Sequence, residues 1–130
     1  MTDVNGLDRE RGYQLLDQLQ DNATQQGWTD TLERTAPGFA DWVITCLFGG
    51  TYQRPGLTLE QRQLVNLGAL AALGGVDPQL AGHVRTGRRV GLTREQVLEV
   101  FVHLARYIGV PKALAALRVA AEALEPEQSQ

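Results

Sequence analysis

The sequence has a single cysteine, and this scarcity excludes several classes of protein. Cys46 stands alone in 130 residues, so the chain can form no internal disulfide, no CxxC redox pair and no thiolate-based zinc cluster. The residues around Cys46 are apolar, which favours a buried and inert thiol over a nucleophile.

Basic residues and long apolar runs are also scarce. The chain has 12 Lys and Arg against 15 Asp and Glu, and Arg85, Arg88 and Arg89 form its only dense basic run. A nucleic-acid surface needs more positive charge than this, so we expect no nucleic-acid partner. No apolar stretch approaches the roughly 18 residues of a membrane span, and the first residues lack the apolar segment of a secretory signal. We therefore expect no membrane partner and a cytoplasmic location.

Strand patterns are missing as well, because nothing alternates with period two for long and β-branched residues are sparse. Helical periodicity is present instead. A first amphipathic helix is predicted from Leu7 to about Gln26, and a second helical segment from near Pro37 to Gly49. The length suits one core, so we predict an all-α, single-domain bundle of about six helices over 1–130, with a polar, frayed tail at 125–130.

The second half of the chain contains a repeat. Gly56–Gln61 (GLTLEQ) recurs 35 residues later as Gly91–Gln96 (GLTREQ). Each copy has a Thr followed three residues later by Gln, which is the capping-box arrangement at a helix start. Pro78 and Pro111 are placed to open the helix that follows each copy. The pattern predicts two helical hairpins, either as a duplicated unit or as two helices that share good capping residues.

The helix after Thr93 is apolar around most of its circumference. Its polar residues form one line: Gln96, Glu99, His103 and Arg106. A helix that is apolar nearly all round is normally buried, and a domain of this size cannot bury it unaided. We therefore predict a homo-oligomer whose interface covers part of this helix, with the polar line opening on a pocket.

Glu99 and His103 are four residues apart, so the carboxylate can reach an imidazole nitrogen. Such a pair suits general acid chemistry near neutral pH. The alternatives are a structural ion pair or a polar contact across an interface. We expect no metal site, because the HExxH spacing is absent and the chain has only two histidines.

His83 flanks the inward side of the helix that precedes Thr93. A histidine in such a place is usually a partly buried residue whose hydrogen bonds are already made. Arg62 lies on a polar line within the Thr58 helix, and Arg54 precedes the Pro55-Gly56 turn. A guanidinium at either position could grip a carboxylate, although each could equally be a surface or salt-bridge residue.

Four ordered segments resemble the carboxymuconolactone decarboxylase family, within the alkyl-hydroperoxidase-D-like superfamily. They are 49–57, 62–74, 83–85 and 91–111, and the resemblance runs from about Phe39 to Leu124. It implies an all-α fold of that type, assembled as a homo-oligomer, commonly a trimer or hexamer, with sites near subunit contacts.

Hydroperoxidases of this superfamily carry a CxxC that leads to a histidine resembling His83. This chain has Val76-Asp77-Pro78-Gln79 there, and Gln63 replaces the glutamate that shuttles protons in those enzymes. Thiol peroxidase chemistry is therefore excluded. The chain resembles the decarboxylase branch, which removes carbon dioxide from 4-carboxymuconolactone without a cofactor and gives the enol-lactone of 3-oxoadipate in protocatechuate breakdown.

For a small lactone acid as substrate, the resemblance implies a role for each candidate residue. Loss of carbon dioxide leaves electrons that delocalise into the lactone carbonyl, so the site must bind carboxylates, stabilise an enolate and deliver a proton. The candidates are Arg54 and Arg62 for the carboxylates, His83 and His103 for the oxyanion or the proton, Glu99 for orienting a histidine, and Tyr52 and Tyr107 for lining the pocket.

One position departs from the decarboxylase pattern. Gly50 stands where such enzymes tend to have an acidic residue, which leaves the substrate open. Two other functions remain: a non-catalytic helical oligomer that binds a small acidic ligand or a partner protein, and an enzyme of another reaction type on the same scaffold.

Overall fold

A computed structural model describes residues 6–126, and over that range the chain is helical without strands, which confirms the all-α prediction. The chain divides between Leu57 and Thr58 into two compact units. The prediction of a single domain stays a prediction.

No helix in the described range is long and apolar enough to cross a membrane. The α-helices are α1 (Arg9–Leu19), α2 (Asn22–Thr35), α3 (Phe39–Val43), α4 (Leu59–Leu73), α5 (Asp77–Val90), α6 (Arg94–Ile108) and α7 (Val110–Leu124).

The first helix is shorter than predicted, and the number of α-helices in the described range is seven rather than about six. Helix α1 ends at Leu19, and the prediction that it runs to Gln26 was wrong. The Asp21 carboxylate accepts a hydrogen bond from the Thr24 amide at 2.7 Å and so starts a new helix. An aspartate at this position satisfies an amide that has no partner within the helix, which favours a start there over continuation of α1.

The core of the N-terminal unit lies where α1 packs on a π-helical turn, Ile44–Phe48, that continues α3. A side chain at Gly12 would not fit this contact, because its Cβ would lie 2.6 Å from the Ile44 carbonyl oxygen. The predicted second helical segment is thus confirmed as α3 plus this turn. Cys46 is half-buried within it. The buried apolar residues are Leu15, Leu16, Leu19, Ala40, Ile44 and Phe48.

The C-terminal unit consists of two helical hairpins, as the repeat predicts. Thr58 and Thr93 each form a complete capping box, and the α4 and α6 helices that follow are both 15 residues long. Helix α4 packs on α5, and α6 packs on α7. Pro78 and Pro111 lie in the first turns of α5 and α7. The shared core consists of Leu67, Ala71, Leu80, Val84, Leu92, Val97, Phe101, Ala116, Val119 and Ala120.

The predicted frayed tail is described only in part. Helix α7 ends at Leu124, and Glu125 and Pro126 follow it as exposed, non-helical residues. The remainder of the predicted tail, 127–130, lies outside the described residues.

Candidate functional site

An open groove of about 580 Å³ lies between α4 and α6 in the C-terminal unit. Small residues of α4 leave this space: a Cβ added at Gly68 would already lie 3.4 Å from Leu104 Cδ1. Most of the lining is apolar, with three members of the predicted polar line among it. The lining residues are Leu64, Val65, Gly68, Ala69, Gln96, Glu99, Val100, His103 and Leu104.

Glu99 and His103 share this groove, and both side chains are exposed. Over residues 6–126, no hydrogen bond or ion pair joins them. The His103 ring instead packs against Tyr107 with ring centroids 5.5 Å apart, and Tyr107 is 77% exposed. Exposed polar groups already form hydrogen bonds with water, so a contact between this carboxylate and this imidazole would add little stability. The orienting role of Glu99 stays a prediction.

His83 has a different setting, between α4 and α5. Its Nδ1 lies 2.9 Å from Oε1 of Gln63, whose side chain is completely buried at 0% exposure. His83 itself is half-buried, and this burial lowers the pKa of its imidazole from the usual 6.5. The neutral imidazole is therefore the resting form at neutral pH.

Helix packing explains how these two side chains meet. Gln63 lies on the inward face of α4, one turn before the buried Leu67, and His83 precedes the buried Val84 on α5. Gly87 is buried beside them, and a Cβ there would lie 3.9 Å from Gln63 Cβ and 3.1 Å from Leu92 Cδ1. A side chain at position 87 would therefore fit against Gln63 but would press on Leu92, which would have to shift.

Gln63 is the site residue that sequence reasoning missed as a partner of His83. One feature of the sequence pointed to it: position 63 falls on the same helical face as Leu67 and Ala71, so a glutamine there is buried among apolar residues. A buried amide needs hydrogen-bond partners, and a histidine within reach can serve as one.

The structure places the remaining candidates in both units. Arg62 is half-buried on α4 next to Gln63. In the N-terminal unit, Tyr52 lies in a 3₁₀ turn, Thr51–Gln53, with its ring centroid 5.1 Å from that of Phe48, and Arg54 is exposed directly after that turn. His83 is not among the residues that line the α4–α6 groove. The structure therefore pairs His83 with Gln63 and places Glu99 with His103, in two separate settings.

The profile of the carboxymuconolactone decarboxylase family matches residues 37–122, well over half of the chain. The chain belongs to this family. The matched range contains all of α4, α5 and α6, and with them both histidines and Gln63. The resemblance inferred from the sequence is thus confirmed.

Three known proteins are similar in sequence to this chain. The chain is 33% identical over 84 residues to 4-carboxymuconolactone decarboxylase of Acinetobacter baylyi, covering 65% of this chain and 62% of that protein. It is 32% identical over 85 residues to nitrosuccinic acid decarboxylase of Metarhizium robertsii, covering 65% and 58%. It is 27% identical over 100 residues to a 15.0 kDa protein of Paracoccus denitrificans, covering 76% and 75%. The chain thus spans less than two thirds of the length of the two named enzymes, and these enzymes support a decarboxylase.

Proposed function

We propose that this protein is a decarboxylase of a small carboxylic acid, with 4-carboxymuconolactone as the first substrate to test and protocatechuate breakdown as its setting. The observation that carries the proposal is the partly desolvated His83 imidazole, held by Gln63 inside the region matched to the family. Buried titratable groups with shifted pKa values are typical of catalytic sites.

The chemistry needs an electron acceptor on the substrate and a proton from the protein. When the carboxylate leaves as carbon dioxide, its bonding electrons pass to the neighbouring carbon and delocalise into the lactone carbonyl as an enolate. A proton must then reach carbon. Burial lowers the pKa of His83, so its imidazolium is a stronger acid than an exposed one. The negative charge of a bound carboxylate substrate favours proton uptake by His83, which prepares it to donate.

Arg62, which neighbours Gln63 on α4, binds a substrate carboxylate in this proposal. Arg54, Tyr52, Tyr107, His103 and Glu99 stay predicted candidates for binding the substrate or transferring the proton. No three His, Cys, Asp or Glu side chains in the described part of the chain are grouped so as to hold a metal ion. We propose that these side chains carry the reaction without a cofactor.

The test is to supply 4-carboxymuconolactone and follow both its loss and the release of carbon dioxide. We expect turnover by the wild type and a fall of about 100-fold or more in kcat for His83→Ala, the usual contribution of a positioned acid or base. The kcat of His103→Ala measures the contribution of the second histidine. Gln79→Ala is the matched control, since Gln79 is exposed on the same helix as His83.

Two outcomes would redirect the proposal. No turnover by folded wild-type protein, with nitrosuccinate also tested, would contradict decarboxylation of these acids. Full activity of His83→Ala alongside inactive His103→Ala would move the chemistry to the α4–α6 groove.

We also propose that the protein assembles with itself through that groove. The groove is open and mostly apolar, and Val65 on its lining is 58% exposed. Contiguous exposed apolar surface of this kind marks an interaction site. A protein that assembles but turns over no acid would favour the non-catalytic oligomer instead.

A further inference from the structure

We propose that Gln63 is a positioning residue that holds His83 as the Nδ1–H tautomer, so that protons enter and leave the imidazole only at Nε2. The catalytic meaning of this inference rests on the proposed function. The tautomer itself does not, because it can be measured without any substrate.

The contact that carries the inference joins Gln63 Oε1 to His83 Nδ1 at 2.9 Å. An amide oxygen can only accept a hydrogen bond, so the ring nitrogen that faces it must carry the proton. In the neutral imidazole the other nitrogen, Nε2, then has the free lone pair. The Gln63 side chain is 0% exposed, so water cannot replace this partner.

The orientation of the amide fits a proton-transfer role. An imidazolium carries a proton on both ring nitrogens, so an oxygen facing Nδ1 accepts the same hydrogen bond before and after Nε2 takes up a proton. The reversed amide would turn an N–H donor toward Nδ1, and this contact would become repulsive on protonation. The orientation with Oε1 toward Nδ1 is thus the one that keeps this hydrogen bond throughout a proton cycle.

A glutamine does this without adding charge. A carboxylate at position 63 would also accept from Nδ1–H, but it would stabilise the imidazolium and weaken it as an acid. It would also be a buried charge whose desolvation has to be offset. Gln63 therefore fixes the ring and leaves the effect of burial on His83 intact.

The first experiment measures the tautomer directly by long-range proton–nitrogen NMR on ¹⁵N-labelled wild-type protein, at a pH where both imidazoles are neutral. The chain has only two histidines, so His103→Gln assigns both signals. We expect a protonated Nδ1 and an unprotonated Nε2 for His83. A protonated Nε2, or the mixture of tautomers expected for a water-exposed ring, would overturn the inference.

The second experiment uses Gln63→Leu, which removes the acceptor, and Gln79→Leu, which makes the same change at an exposed position of α5. In Gln63→Leu we expect His83 to lose its single tautomer and kcat to fall about 10- to 100-fold with little change in KM, as for other groups that orient a histidine. An unchanged His83 spectrum in folded Gln63→Leu would contradict the inference. The Gln79→Leu variant should keep both the spectrum and kcat.

Gln63→Glu separates positioning from charge. It keeps an acceptor at Nδ1, so the Nδ1–H tautomer should remain while the pKa of His83 rises in an NMR titration. If decarboxylation fails in wild type but the tautomer is as expected, the proposed function fails and the positioning stands. If wild type is active and Nε2 carries the proton, the proposed function stands and the positioning role of Gln63 fails.

Discussion

At the level of single residues, the burial of Gln63 and the partial burial of His83 make their hydrogen bond important for stability. Polar groups removed from water destabilise a fold unless they are paired, and this pair meets that condition through a contact of 2.9 Å. A purely structural role would need the same hydrogen bond, so a loss of stability in a variant does not identify a catalytic role. Tautomer and kcat therefore discriminate between the roles better than stability does.

The lowered pKa of His83 predicts how stability depends on pH. The unfolded chain protonates this group near 6.5, whereas the folded chain does so only at lower pH. Between these two pKa values the unfolded state binds more protons, so the free energy of unfolding should fall as the pH is lowered below about 6.5. Denaturant unfolding at a series of pH values checks this.

A comparison of variants isolates the contribution of His83. The His83→Gln variant should lose this part of the pH dependence, because the group that titrates has gone. His103→Gln should retain it, since His103 is exposed. Identical pH curves for wild type and His83→Gln would show that burial does not perturb this group.

At the level of helices, the two capping boxes make a prediction about stability. In Thr93→Ala, the Gln96 amide loses the acceptor that now lies 3.0 Å away, so unfolding should require about 1 kcal/mol less. Thr93→Ser keeps the hydroxyl and should stay near wild type. Equal stability of Thr93→Ala and Thr93→Ser in chemical denaturation would contradict this role.

Two helical glycines should respond in opposite directions to alanine. Gly12→Ala places its Cβ against the Ile44 carbonyl oxygen at 2.6 Å, so the backbone must shift and stability should fall by about 1–3 kcal/mol. Gly27 lies inside α2 with nothing within 4 Å of its added Cβ, and Gly27→Ala should raise stability by up to about 1 kcal/mol. Thermal or denaturant unfolding shows whether each substitution raises or lowers stability. A stabilising Gly12→Ala would refute the close contact.

At the level of the whole molecule, the exposed apolar groove predicts assembly. Light scattering at micromolar concentration should return a multiple of the 14.2 kDa chain mass. Val65→Glu should shift the protein toward smaller species, because it buries a carboxylate in the proposed interface. Gln79→Glu introduces the same charge at an exposed site and should not. A monomeric mass for the wild type would rule out self-assembly and show that no second copy of the chain covers the groove.

The sequence by itself determined the helical class, the capped starts of α4 and α6, the two hairpins and the family. These features are local: the capping contacts of Thr58 and Thr93 span three residues, and helical periodicity repeats every few positions. Even so, the break at Asp21 escaped the prediction, because the polar residues after Leu19 include glutamines, which are good helix formers and so do not mark a helix end.

Only the tertiary structure decided which polar residues meet. Glu99 and His103 are well spaced on one helix, yet both are exposed and share no hydrogen bond within residues 6–126, whereas Gln63 and His83 are 20 residues apart and do. The physical reason is burial: where two helices pack and exclude water, a polar side chain must pair with whatever the neighbouring helix presents. Helical spacing gives the face on which a residue lies, and the packing of α4 against α5 gives its partner.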